Sequence, residues 1–149
     1  MELIVKTFNE LTTSELYEIF KLRVDVFVVE QQCAYHEIDE FDKVSTHLWL
    51  EDNGEIVAYL RVLPPHTTFD EASIGRVIAT RRRDGLATRL IIDALKYARY
   101  IYNAEVITIE AQCYARGLYE KIGFVQTSEE FLEDGIPHIQ MQYKFEDIK

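Results

Sequence analysis

The chain has 149 residues, with 16 lysines and arginines against 26 aspartates and glutamates, so its formal net charge is −10. Hydrophobic residues make up 48% of the sequence, which is enough to build a core and argues against a disordered chain. The acidic balance argues against nucleic acid and anionic membranes as partners and favours small cationic partners such as amines. We expect one domain over residues 1–149, because no linker, repeat or low-complexity segment interrupts the sequence.

Features that direct a chain out of the cell or into a membrane are not evident. The N-terminus is acidic rather than basic, and no apolar run approaches the roughly 20 residues of a membrane span. The two cysteines, Cys33 and Cys113, are too few for a disulfide framework. We therefore expect a cytoplasmic protein with free thiols.

The first half of the sequence alternates strand and helix signals. Residues 2–8 are β-branched and aromatic, which predicts a strand, and Thr12 and Glu15 have the spacing of a capping box, which predicts a helix behind them. Residues 30–46 show no clear period and predict a long, shaped loop. Further strands are predicted over residues 47–50, 56–62 and 73–80, the first two of which flank the hairpin signal Asn53-Gly54.

The second half contains the strongest helix signal. Apolar residues recur at helical spacing over residues 86–102 and predict an amphipathic helix. The other predicted elements are a strand over 106–111, a short helix over 114–121 ending at Gly123, and strands over 124–127 and 139–145 around the turn signal Asp134-Gly135. The order β-α-β-β-β-α-β-α-β-β, with its short hairpins, favours an α+β (mixed α/β) sandwich over a doubly wound sheet.

An arginine triplet at residues 81–83 stands out from the acidic background, between the predicted 73–80 strand and the 86–102 helix. A helix N-terminus offers free backbone N–H groups and the positive end of the helix dipole, which together bind anions. Gly85 and Ala87 project little bulk, so a phosphate could approach the backbone there, and Thr88 could add a hydroxyl donor. The loop has neither the Gly-Lys-Ser/Thr of a P-loop nor the G-x-G-x-x-G of a dinucleotide site.

The pattern Arg82-x-x-Gly85-x-Ala87 resembles the pyrophosphate loop of the Gcn5-related N-acetyltransferases (GNATs), although a solvated basic helix start fits this pattern alone about as well. The segment from Gln112 to Phe124 is similar to that family's Asn-x-x-Ala-x-x-Phe/Leu-Tyr-x-x-x-Gly-Phe segment, with Gln112 where asparagine is commoner. The two segments stand in the family's order and spacing, which strengthens the resemblance.

A more specific resemblance, to the ElaA-like branch of this family, is carried by residues 22–35 and 131–141 and continues through Glu37, Asp39, Asp42 and His47. It spans nearly the whole chain. It implies the acyl-CoA N-acyltransferase fold, in which a central, mixed, mostly antiparallel sheet is flanked by helices and splayed at the strand pair that holds the cofactor. It also implies that the chain transfers an acetyl group from acetyl-CoA, its co-substrate, to a primary amine by direct attack.

The resemblance assigns residues to the donor side of the site. Tyr119 matches the tyrosine that protonates the departing thiolate, although a core tyrosine with a satisfied hydroxyl is the alternative. Gln112 would bind the cofactor arm, and the backbone N–H of Ile78 would meet the thioester carbonyl. The other cofactor-binding positions lie along the strand and loop: Val77, Ala79, Arg82, Arg83, Asp84, Gly85, Leu86, Ala87 and Thr88.

The acceptor side is less defined by the sequence. The general base stays open among Glu30, Glu37, Glu110 and His47. We take Glu110, on the strand that leads into Gln112, as the catalytic candidate beside Tyr119, although a lone glutamate on a strand more often simply faces solvent. The predicted substrate-binding residues are Glu30, Tyr35, Glu37 and His47. Glu30, Glu37, Asp39 and Asp42 could form an acidic rim that collects a protonated amine, although an ordinary acidic surface explains them equally well.

Other functions stay open at this level. The four histidines show no metal-ligand spacing, so we expect no metal. A module that senses acyl-CoA without turnover is the alternative to an N-acetyltransferase acting on a small amine or a peptide amino group. A structural partner, such as a homodimer, is the third. Coenzyme A binding separates the third from the other two, and turnover separates those two.

Overall fold

The computed structural model describes residues 1–81 and 84–146. Its strands form two sheets of four. The first sheet is antiparallel and runs in chain order: β1 (Glu2–Thr7), β2 (Thr46–Asp52), β3 (Glu55–Leu63) and β4 (Ser73–Ala79). The second has its last strand at the centre, where that strand pairs antiparallel with the other three: β5 (Val106–Gln112), β6 (Val125–Gln126), β7 (Phe131–Glu133) and β8 (Ile136–Lys144).

The two sheets meet at β4 and β5 and then separate. Just before β4, Ala72 forms a single parallel bridge with Ile107, and the Thr108 N–H donates to the Ala72 carbonyl at 3.1 Å. Beyond this point the register pairs β4 only with β3, and β5 only with β8. The splayed, mostly antiparallel arrangement is the one expected, and it opens a gap between two neighbouring strands.

Helix α1 (Thr13–Val24) begins at the predicted capping box. The Thr12 hydroxyl accepts a hydrogen bond from the Glu15 N–H at 3.1 Å, and the Glu15 carboxylate accepts one from the Thr12 N–H at 2.8 Å. A π-helical turn over Asp25–Glu30 continues this helix into the long loop. Such turns are frequent where a helix meets a functional site.

Helix α2 (Leu86–Tyr102) has the predicted bounds and lies on the opposite face of the first sheet from α1. Its apolar stripe is buried in the main core, which also takes side chains from both sheets. The smaller core under α1 contains Ile19, Trp49, Tyr59 and Ile78. None of the described helices is long and apolar enough to cross a membrane.

The C-terminal strands differ from the sequence prediction. β8 begins at Ile136, three residues before the predicted start, and β7, which was not predicted, pairs with that extension. Pro137 lies within β8, opposite Leu132 near the end of a hairpin. Proline is tolerated near the start of a strand, where its missing N–H costs little. The short helix is also split, into a 3-10 turn over Cys113–Ala115 and α3 (Arg116–Ile122).

Gly123 ends α3, as predicted, with a positive φ of 125°. A Cβ built at Gly123 would lie 3.0 Å from Tyr143 Cε2, so a side chain there is strained by both backbone and contact. We expect Gly123→Ala to lower the free energy of unfolding by about 1–3 kcal/mol in urea titrations. Gly117→Ala is the matched control, because a Cβ at Gly117 meets nothing within 4 Å. Equal losses in both variants would contradict this account.

Candidate active site

A cavity of about 780 Å³ occupies the gap between β4 and β5. The strand walls contribute Val77 and Ala79 from β4 and residues 110–112 from β5. At one end the cavity meets Ala87 in the first turn of α2. At the other end it is closed by the loop after α1, through Cys33 and Tyr35, and by the β7–β8 hairpin. One cavity therefore extends from the start of α2 to a chamber lined by the loop after α1 and the β7–β8 hairpin.

The N-terminus of α2 presents backbone N–H groups that have no partner among the described residues. Gly85 is the N-cap residue, with φ 69°, and has no side chain that could cap the helix. The first backbone hydrogen bond of the helix runs from the Arg89 N–H to the Gly85 carbonyl, at 3.0 Å. Within the described chain, the N–H groups of Leu86, Ala87 and Thr88 have no partner. A Cβ at Gly85 would meet nothing within 4 Å, so this end of the helix is open, and it fits a phosphate.

The arginine triplet can be followed only in part. Arg81 pairs with Asp52, with Nη2 2.7 Å from Oδ2, so it points back to the β2–β3 hairpin. Asp84 is exposed beside the helix start. Arg82 and Arg83, both predicted to bind the cofactor, lie outside the described residues.

The predicted role of Ile78 is not supported by the strand register. The Thr80 N–H donates to the carbonyl of Val57 in β3 at 2.9 Å. Since successive N–H groups of a strand point to opposite sides, alternate N–H groups of β4 face β3. The Ile78 N–H is one of these and cannot also face the cavity. The N–H groups of Val77 and Ala79 point the other way, into the gap toward β5. These two groups are the ones placed to meet a carbonyl oxygen there.

Tyr119 lies in α3 with its ring packed edge-to-face on Phe124, with the centroids 5.4 Å apart. Its residue exposure is only 7%, yet it lines the cavity. Among the described residues, the Tyr119 hydroxyl has no hydrogen-bond partner, unlike a tyrosine held in a core by its hydroxyl. Burial raises the pKa of this phenol, so the hydroxyl keeps its proton at neutral pH.

Gln112 and Glu110 alternate on β5 and face the cavity. The Gln112 amide donates to the Gln31 side-chain oxygen at 3.2 Å, a bond that ties β5 to the loop after α1. Partial burial and the nearby carboxylate of Glu133 raise the pKa of Glu110 to about 7. A carboxyl with that pKa can take and release a proton near neutral pH, as a general base must.

The predicted acceptor residues are not all together at this cavity. Tyr35 lines it, whereas Glu30 is exposed outside it. His47 has no exposed surface; its ring nitrogens are 2.6 Å from the Tyr59 hydroxyl and 3.0 Å from the Asp42 carbonyl. Burial lowers the pKa of His47, so it stays neutral. The assignment of His47 to substrate binding is therefore wrong, because both ring nitrogens are already bonded inside the core.

Glu37 is also unavailable to an amine, because it belongs to a buried ion network. Arg23, which has no exposed surface, donates to Glu37 at 2.8 Å and to Asp42 at 2.6 Å. Arg76 Nε donates to the same Glu37 oxygen at 2.7 Å, and the Tyr35 hydroxyl donates to the other oxygen. Glu37 thus orients Tyr35 at the cavity wall without reaching the cavity itself.

The buried ion network also includes Asp39 and Asp42, two further residues of the predicted acidic rim. Arg61 bonds both Asp39 oxygens, at 2.7 and 2.9 Å, and Asp42 at 3.0 Å. Three arginines therefore balance three carboxylates, Glu37, Asp39 and Asp42, and the acidic rim predicted for these residues is electrically neutral. A neutral, bonded network fixes the shape of the loop; it does not collect cations.

Several residues around the chamber were not assigned to the site from the sequence. They are Cys33, Arg61, Arg76, Glu133, Asp134 and His138. The sequence does contain a signal for Arg61. This residue interrupts the apolar run of β3, and a charged side chain buried at such a position needs a partner. No comparable signal marked Glu133 and His138, because the sequence did not predict β7.

Metal-ligand clusters of three or more His, Cys, Asp or Glu side chains do not occur among the described residues. Both cysteines are free and partly buried, and the Cys33 thiol donates to the Asp134 carbonyl at 3.6 Å. This contact joins the loop after α1 to the β7–β8 hairpin. It closes the end of the cavity opposite α2.

The family model of the acetyltransferase (GNAT) domain matches residues 13–145, most of the chain. The chain belongs to the GNAT family. It is 40% identical over 146 residues to a UPF0039 protein of Schizosaccharomyces pombe, covering 95% of this chain and 96% of the relative. It is 35% identical over 137 residues to protein ElaA of Escherichia coli, covering 89% and 90%.

Solved structures agree with this assignment. An acyl-CoA N-acyltransferase from Pseudomonas aeruginosa superposes with a TM-score of 0.89 at 37% identity, over 96% of this chain and 99% of that one. The crystal structure of Escherichia coli ElaA gives the same TM-score and coverage at 33% identity. The chain is thus an acyl-CoA acyltransferase of the GNAT family, in its ElaA-like branch.

Proposed function

We propose that this GNAT protein transfers the acetyl group of acetyl-CoA to a primary amine by direct attack, within a single domain. The observation that carries the proposal is the placement of four groups on one cavity: the free N-terminus of α2, the open edge of β4, the Tyr119 hydroxyl and the Glu110 carboxyl. Direct acyl transfer needs four functions. The donor must be bound, the thioester carbonyl polarised, the departing thiolate protonated and the amine deprotonated.

The donor end would be organised by the backbone. The N–H groups of Leu86, Ala87 and Thr88 would hold the pyrophosphate of the donor, and those of Val77 and Ala79 would run beside its arm. Acetyl-CoA supplies the reactive thioester when it binds. Val77 or Ala79 would then donate to the carbonyl oxygen as charge builds on it, and Gln112 would bound the opposite side of the arm.

The chemistry falls to two side chains. The Glu110 carboxylate takes a proton from the amine nitrogen, whose lone pair can then attack the carbonyl carbon. Tyr119 gives its hydroxyl proton to the sulfur as the carbon–sulfur bond breaks, and the second proton, which the nitrogen loses as the amide forms, restores the Tyr119 hydroxyl. The raised pKa of Tyr119 keeps the phenol protonated before the reaction, so the proton is present when the thiolate forms.

Replacement of Glu110 tests the base. For the wild type, kcat/KM should rise with pH through a midpoint near 7, because the raised pKa leaves Glu110 protonated, and inactive as a base, below that pH. Glu110→Gln should remove this midpoint and lower kcat by about 100- to 10,000-fold. Glu105→Gln is the control, because Glu105 is exposed just before β5 and away from the cavity. A variant that keeps both the wild-type rate and the midpoint would show that Glu110 is not the base.

The proposed reaction is tested by substrate panels. Coenzyme A release should be seen with acetyl-CoA and a subset of primary amines, in a set that runs from alkylamines and diamines to dipeptides. Longer acyl-CoA donors test the preference for acetyl. Binding of coenzyme A without thiol release from any donor and amine would instead support the alternative, a sensor that lacks turnover.

A further inference from the structure

The geometry of the β7–β8 hairpin points to a second carboxylate in the acid–base step. We propose that Glu133 is a positioning residue that holds Glu110 ready to take the proton of the acceptor amine. This inference rests on the proposed function, in which Glu110 is the base. It assigns a role to β7, a strand that the sequence did not reveal.

The strand register puts these side chains on one face of the second sheet. His138 lies opposite Gln112 of β5, and Ile136 lies opposite Glu133 of β7. Directly opposed residues share a face of a sheet, and so do residues two apart in one strand. Glu110, Gln112, Glu133 and His138 therefore share the face that lines the cavity, as their lining contacts confirm.

His138 is oriented by its neighbours. Its Nδ1 is 2.7 Å from the Ile136 carbonyl oxygen, an acceptor, so Nδ1 carries the proton in the neutral ring. The ring stacks on Phe131 with the centroids 6.1 Å apart. Nε2 lies 3.9 Å from Glu133 Oε2, and in the neutral ring it has no proton to donate to that carboxylate. Glu133 thus has His138 on one side and the Glu110 carboxyl on the other.

The other charged groups at the cavity leave this pair uncompensated. Asp134 stands in the adjoining turn, and the facing wall carries Asp39, Arg61 and Arg76 together with Tyr35 and His36, with Tyr114 and Tyr119 beside β5. Arg61 and Arg76 are already bonded to Asp39 and Glu37. Among the residues whose positions are known, no lysine or arginine forms an ion pair with Glu110 or Glu133. Burial and, with it, the like charge of Glu133 therefore raise the pKa of Glu110.

The proton balance of the step is simple. An N–H bond of the bound ammonium breaks, its electron pair stays on nitrogen, and an O–H bond forms on Glu110. The proton is later released from Glu110 to solvent, so no oxidant, reductant or further reactant is required. Without the charge of Glu133, Glu110 would be a weaker base and would take the proton less readily.

Glu133→Gln tests this role through a pH profile. The side chain of Glu133 is 48% exposed, so the variant should fold. The kcat/KM midpoint near 7 should move down by about one pH unit or more, and the plateau rate should fall, while KM for acetyl-CoA stays the same. Glu133→Asp should retain a raised midpoint. The control Glu129→Gln removes an exposed carboxylate that does not line the cavity and should change nothing.

A carbon-13 NMR titration of the glutamate carboxyls, without any substrate, separates this inference from the proposed function. Glu110 should titrate near pH 7 in the wild type and about one unit lower or more in Glu133→Gln. The same midpoint in both proteins would overturn the role of Glu133 even if acetyl transfer is observed. The expected titration shift in a protein that transfers no acetyl group would overturn the proposed function while leaving the coupling of the two carboxyls in place.

Discussion

Tyr119→Phe should lower kcat by about 100- to 10,000-fold, the range for loss of a general acid, while the KM for acetyl-CoA changes little. The phenylalanine ring keeps the edge-to-face contact with Phe124, so only the hydroxyl is removed. That hydroxyl has no partner among the described residues, and its loss should leave the midpoint of urea unfolding unchanged. A fall in turnover without a fall in stability identifies a group used in the reaction.

Tyr114→Phe is the matched control for this prediction. Tyr114 lines the same cavity but is 81% exposed at its mouth, and loss of its hydroxyl should leave kcat within about twofold of the wild type. Equal turnover in wild type and Tyr119→Phe would remove Tyr119 from the mechanism. Loss of stability in Tyr119→Phe would instead support the reading of Tyr119 as a core tyrosine.

Arg23→Met should lower the free energy of unfolding by about 3–5 kcal/mol, the cost of leaving buried charges uncompensated. Arg23 is fully buried, and it bonds both Glu37 and Asp42, neither of which can reach water to recover its solvation. The same change should loosen the loop that carries Tyr35 at the cavity wall, because Glu37 is shared between Arg23, Arg76 and the Tyr35 hydroxyl.

Urea unfolding of Arg23→Met and Lys6→Met measures the difference between a buried and a surface ion pair. Lys6 pairs with Glu15 at 2.8 Å on the partly exposed surface, and its loss should cost at most about 1 kcal/mol. If Arg23→Met costs no more than Lys6→Met, the network is not what holds the loop in place.

Locally encoded features were predictable from the sequence. The capping box at Thr12 and Glu15 and the stripe of α2 depend on residues within a few turns of one another, and both have the expected positions. β7 was missed because its three residues are too few for a period and gain their partners only from β8. Short strands of this kind are defined by pairing rather than by their own sequence.

The site divides in the same way. Tyr119 and Gln112 were assigned through the resemblance to the GNAT segment, and Glu110 through its place on the strand before Gln112; all three lie on the cavity. Glu37 and His47 were placed in the acceptor site as candidate bases that continue the ElaA-like pattern, but their partners, Arg23 among them, come from distant positions and bury them. Ile78 lies between Val77 and Ala79, whose N–H groups face the cavity. Which N–H groups of β4 face the cavity depends on how β4 pairs with β3.

The central claim is direct acetyl transfer from acetyl-CoA to a primary amine. The measurement that tests it most directly follows free thiol and N-acetylated amine in the same reaction, by mass spectrometry, together with the intact mass of the protein incubated with acetyl-CoA alone. We predict one acetylated amine for each thiol released and an unmodified protein mass without amine. Thiol release without an acetylated amine, or a stably acetylated protein when amine is omitted, would contradict the account.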